Sequence, residues 1–191
     1  MSELDCWEGL GSNRTSEQSH TTRIEVVEHY GLDKKKQCQI LGESDHVVNA
    51  HIFPKSRSKL LVLLDLKQKD VDSPRNILRI HNDIEKAFDK KEIMFEFDAA
   101  TTSFTLKVMN TAILETRLQD RSETFRDIHG KILNIPNGNL PFRRLMAIHS
   151  FYVRQKWSMD MNEAEIRTKE LLSFSVDGAA QARIASFLKP A

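Results

Sequence analysis

Apolar and polar positions change rhythm several times along the 191 residues, and each change predicts an element. The first 22 residues show no rhythm at all. They are polar, rich in Ser, Thr, Gly and Glu, and read as a peripheral arm. The stretch RIEVVEHYG (23–31) suits a short helix or a strand, closed by glycine. Next, CQILG (38–42) predicts a short apolar strand, and DHVVNAHIFP (45–54) alternates as the second strand of a hairpin would.

The middle of KSRSKLLVLLDLKQKDVDSPRN (55–76) is apolar and predicts a helix that must stop before Pro74. NILRIHNDIEKAFDKKE (76–92) begins extended and turns helical at Asn82 or Asp83, both good caps, with Ile84, Ala87 and Phe88 as its apolar face. EIMFEFDAATTSFTLKVMN (92–110) alternates in two runs, which predicts two strands joined at Ala99 to Thr102. From there the pattern is mostly helical. PFRRLMAIHSFYVRQKW (141–157) opens with proline in the first turn, and NEAEIRTKELLSF (162–174) and AAQARIASFLK (179–189) are amphipathic. The sum is an α+β chain: an arm over 1–22, a mixed domain over 23–110 and a mainly helical extension over 111–191.

Composition narrows the chemistry. With 40% hydrophobic and 29% charged residues the chain can bury an ordinary core, and a net charge of +1 makes any nucleic-acid face local. Two cysteines, Cys6 and Cys38, exclude a four-cysteine structural zinc site within one chain. No apolar run approaches the length of a bilayer span, and no basic-then-apolar leader opens the chain. The expectation is an intracellular protein, cytoplasmic or nuclear, with no membrane partner.

The segment that carries chemistry surrounds NAHIFP (49–54). Alone, His51 is an ordinary strand histidine. It is followed, in order, by Pro54, an asparagine in a turn (Asn76), and a helix bearing Glu85, Phe88 and Asp89. Hydrolysis of a phosphodiester needs a base to activate water, a divalent cation to neutralise the leaving oxygen, and a group to orient the base. The order CQILG, AHIFP, PRNILRIHNDIEKAFDKKEIMFEFD, over residues 38–97, resembles the HNH endonucleases, in particular their zinc-free branch.

That resemblance implies a ββα-metal core hydrolysing DNA, double-stranded by preference, with His51 as general base and Asn76 as the structural asparagine. Nine residues beyond Asn76, where the family places a metal-binding histidine, this chain has Glu85. Ala50 stands where many relatives carry an acidic ligand. A carboxylate suits Mg²⁺ or Mn²⁺ better than zinc, and Asp89, one turn on, shares its helix face and could be a second ligand. Taken alone, Glu85 and Asp89 suit equally well a solvated face beside Lys86, Lys90 and Lys91.

Lys55, Arg57, Arg75, Arg143 and Arg144 are the candidate phosphate contacts, although a basic stretch such as 141–159 is also what a solvated rim looks like. Double-strand cutting would call for a homodimer. The rival reading is a catalytically degenerate HNH fold kept as a DNA- or protein-binding module.

Overall fold

The computed structural model describes residues 20–33 and 36–157; the arm up to residue 19 and the amphipathic segments at 162–174 and 179–189 lie outside the described residues. Six strands and four helices follow one another: α1 (His20–Tyr30), β1 (Gln37–Cys38), β2 (Gly42–Glu43), β3 (Val47–His51), β4 (Ile77–His81), α2 (Asn82–Asp89), β5 (Ile93–Asp98), β6 (Ser103–Val108), α3 (Phe125–Ile128) and α4 (Arg143–Lys156). The strands make three antiparallel pairs, β1 with β2, β3 with β4 and β5 with β6. The class is α+β. No helix among the described residues is long and apolar enough to cross a membrane.

CQILG does not pair with NAHIFP. It folds back on itself, so that Cys38 faces Gly42, which has φ +77°. The amides of Ile40 and Leu41 donate to the Cys38 sulfur at 3.4 Å and close the turn. Gln39 then binds the far edge of β4 twice: its amide donates to the Arg79 carbonyl, and its side-chain oxygen accepts from the Arg79 amide, both at 2.8 Å. The pair that does form, β3 with β4, is separated in sequence by 25 residues, with Val47 opposite His81 and His51 opposite Ile77.

The connection between them is not an α-helix. It runs through 3-10 segments at Lys55–Leu64, Gln68–Asp72 and Pro74–Asn76. Five successive apolar residues give no 3.6-residue stripe, whereas a three-residue turn stacks Leu61 over Leu64, both fully buried. Val62 is left exposed.

β4 runs straight into α2. His81 is the helix cap, its Nδ1 accepting the Asp83 amide at 3.2 Å, and Asp83 and Glu85 place negative charge in the first turn. Ile84, Ala87 and Phe88 pack with Ala50, Leu78 and Ile80 in the main core. On the ribbon's other side, Val26, Tyr30 and Leu32 of the α1 region pack on Ile77, and the Tyr30 hydroxyl lies 3.0 and 2.9 Å from the carbonyls of Pro74 and Ile77.

The β5–β6 hairpin turns at Ala99 to Thr102 as its alternation predicts, with Phe104, Leu106 and Val108 buried. Beyond it the chain is largely irregular up to α4, yet Leu118, Phe125, Ile128 and Leu133 enter the same core. α4 lies across β5: Ser150 donates to the Phe95 carbonyl at 2.9 Å and Arg154 to Glu96 at 3.1 Å.

His149 of α4 is buried in this core, stacked on Phe88 at 3.6 Å and donating from Nε2 to the Phe88 carbonyl at 2.9 Å. Burial pushes its pKa down to about 3. The unfolded chain therefore takes up a proton near pH 6.5 that the folded chain refuses, and stability present above that pH is lost as pH falls. Urea unfolding is expected to show a loss of about 2 kcal/mol between pH 7 and pH 5 from this residue. H149F should lose that much less over the same interval; an unchanged loss would show that His149 is not responsible.

Candidate functional site

The site is built at the end of β3, where one side chain does the work of several backbone bonds. Asn76 is fully buried. Its Oδ1 accepts the Phe53 amide at 2.9 Å, while Nδ2 donates to the carbonyls of Phe53 at 3.0 Å and Val71 at 2.8 Å. The Asn76 carbonyl accepts the Ile52 amide at 2.8 Å, which carries the strand pairing one residue past His51. Both ends of the connection are thus tied to the strand that carries His51, whose backbone is fixed on either side.

His51 is mostly buried, and its Nε2 has no hydrogen-bond partner among the described residues. Burial and the nearby Lys55 ammonium lower its pKa to about 4, with the Asp72 carboxylate opposing them. The imidazole is therefore neutral at physiological pH. Lys55 and Asp72 also bond to each other, Nζ to Oδ1 at 2.6 Å, with both side chains about half exposed. Neither neighbour stands out from the sequence around His51, because Asp72 is 21 residues away in the chain.

Glu85 sits on the buried side of α2 at 6% exposure, and Asp89, half-buried, follows one turn later. Each is already engaged with a neighbour. Among the described residues no group of three or more His, Cys, Asp or Glu side chains is placed to hold a metal ion. One or two carboxylates can hold a divalent ion that keeps several waters, with a phosphate completing the shell.

The five candidate phosphate contacts divide. Lys55 and Arg57 lie in the first 3-10 segment, beside His51 in sequence. Arg75 donates to the Leu140 carbonyl at 3.2 Å and stands 4.4 Å over the Phe142 ring. The Arg143 guanidinium stands 3.9 Å over Phe97, and Arg144 donates to the Leu64 carbonyl with Asp65 3.9 Å away. These three arginines fasten the start of α4 to the hairpin and to the long connection.

An antiparallel pair running into a helix, with a histidine on the first strand and an asparagine pinning the connection, is the arrangement of a ββα-metal core. Residues 38–96 match the family model of the HNH endonucleases. The match spans 59 residues of the 191 and covers β1 through most of β5. The match points, for that segment, to a function of nuclease type or to nucleic-acid binding. HNH nucleases generally use a divalent metal. No curated protein and no solved structure matches the chain.

The role of His81 is clearer in the structure than in the sequence: it caps α2, and the spacing to Asp83 is the only local sign of it. Two measurements check this geometry. N76D should cost on the order of 3–5 kcal/mol in urea unfolding, because a carboxylate cannot donate to the Phe53 and Val71 carbonyls; a cost under about 1 kcal/mol would remove Asn76 as the pin. NMR titration of His51 should give a midpoint near 4, moving up in K55M and further down in D72N; a wild-type midpoint near 6.5 would contradict the burial.

Proposed function

We propose that residues 38–96 form a metal-dependent endonuclease core that hydrolyses phosphodiesters of double-stranded DNA. The observation that carries this reading is the neutral His51 imidazole, with an Nε2 that has no hydrogen-bond partner among the described residues, at a strand end pinned by Asn76. In this reading His51 takes the proton from the attacking water. Asn76 keeps the backbone around the base from moving, and acts as a positioning residue. Glu85, with Asp89, holds Mg²⁺ or Mn²⁺. Such an ion, when bound, neutralises the charge that develops on the leaving oxygen.

Nε2 is covered in the free protein, so a productive complex requires side chains over it to part. Lys55 is well placed for this, since an exposed ion pair such as its bond to Asp72 is worth roughly 0–1 kcal/mol and a phosphate can draw it off. Lys55 and Arg57 are then the direct phosphate contacts. Arg75, Arg143 and Arg144, each held by a carbonyl or an aromatic ring of the fold, add to the local positive potential. A homodimer would give double-strand cutting.

A second reading, a degenerate HNH fold that binds DNA or protein without cutting, draws on Ala50 and Glu85 standing where the family has metal ligands and on the lack of a three-ligand cluster among the described residues. A plasmid-nicking assay separates the two. The expected result is nicking with Mg²⁺ or Mn²⁺ that EDTA abolishes, reduced at least about 100-fold in H51A, as for loss of a general base. E85A should lose cleavage while melting cooperatively. Full cleavage in E85A would overturn the ligand assignment, and a wild type that shifts DNA in a gel but nicks it under no metal would favour the binding module.

A further inference from the structure

Cross-strand partners share a face of a ribbon, and residues two apart on a strand share it too. Asn49 pairs with Arg79, and His51 with Ile77, so His51, Asn49, Arg79 and Ile77 point to one side. Ile77 packs under the α1 region there, with Val26, Tyr30 and Leu32. The surprising member is Arg79, a guanidinium only 6% exposed in the middle of the ribbon.

Its charge has no counter-charge among the described residues. Nη1 donates to the Asn49 side-chain oxygen at 2.8 Å, and Nε is buried without a partner. Among the described residues no carboxylate pairs with it. Burial works against its charge, and so does the charge of Arg23 on α1. A buried charge is ordinarily paired, because taking it out of water is costly and a like charge beside it adds to the cost. α1, which carries Arg23, packs on β4, which carries Arg79, and an anion between them would relieve the cost of that buried charge. The first turn of α1 contains no acidic residue, and the free amides of a helix start favour negative charge.

We propose that Arg79 and Arg23, with the start of α1, form a site for a phosphate-type oxyanion on the face of the ribbon that carries His51. The proposal rests on the nuclease reading for its ligand: a backbone phosphate of the DNA substrate, close to the one His51 would attack. Arg79 lies opposite Asn49, which is two residues and therefore about 7 Å along the strand from His51. The planar fork of a guanidinium matches the oxygens of a phosphate, and the buried Nε has no partner among the described residues. Arg79 is then a substrate-holding residue rather than a structural one.

Two measurements on the full chain test this. Thermal melts in sodium phosphate and in sodium chloride of equal ionic strength read the anion site without DNA. Phosphate is expected to raise the wild-type Tm by several degrees, while R79M and R23A melt alike in both salts. Anisotropy of a labelled DNA duplex in EDTA reads the substrate: each variant should bind several-fold more weakly, with a salt slope smaller by about 1. Arg23 is exposed, so R23A answers the question even if R79M folds poorly. Equal phosphate effects in wild type and both variants would overturn the site. A phosphate effect lost in both variants with duplex affinity and slope unchanged would overturn its assignment to DNA. Metal-dependent nicking lost in H51A would stand in either case, which separates failure of this site from failure of the nuclease reading.

Discussion

The amide of Asn76 is the contact on which the rest of the candidate site depends. A 25-residue connection with no ladder of its own has to return to the strand it left, and a free loop of that length would leave the end of β3 without a fixed partner. Three hydrogen bonds from one buried side chain close it, two of them gripping Phe53 from both sides as a backbone partner would. Phe53 and Ile52 are then driven into the core on either side of a fixed point, and His51 is left at the last paired position. The 3-10 turns, the buried leucines and the Lys55–Asp72 pair all hang from that closure.

Around this point the molecule treats its charges in two ways. Several cations are taken by carbonyl oxygens and aromatic faces of the fold: Arg75 over Phe142 and Lys156 on the Lys90 carbonyl, both still exposed, and the half-buried Arg143 over Phe97 and Arg144 on the end of the first 3-10 segment. They join α4 to the long connection and to the β5–β6 hairpin. A few groups are instead kept under electrostatic tension. His51 is held neutral by burial and a cation, and Arg79 is buried with no acid paired to it among the described residues.

How much of this was written in the sequence follows from the range of each interaction. The β5–β6 hairpin and α2 were legible, because alternation, a turn and an apolar face are all local, although the cap is His81 and not Asn82 or Asp83. His51 and Asn76 were legible as candidates because the family pattern is an ordered string. The pairing of β3 was not. CQILG and NAHIFP are neighbours in sequence and both apolar, but Gly42 and the Cys38 sulfur turn the first back on itself, and the true partner lies beyond the connection. The helix expected over the leucines also failed, since contiguous apolar residues fit a three-residue turn as well as a longer period. The contacts of Arg75, Arg143 and Arg144 within the fold depend on partners up to 80 residues away, which no local pattern encodes.

The turn closed by Cys38 has a consequence for how the domain can be watched. Its sulfur is fully buried, accepts two amides, and is kept as a thiol by burial, which raises its pKa. A reagent that attacks thiolates has no route to it while the core is shut. Its residue-resolved alkylation rate is therefore a clock for the opening of the ribbon against which His51 is set, and it runs at the frequency of that opening rather than at the chemistry of the thiol.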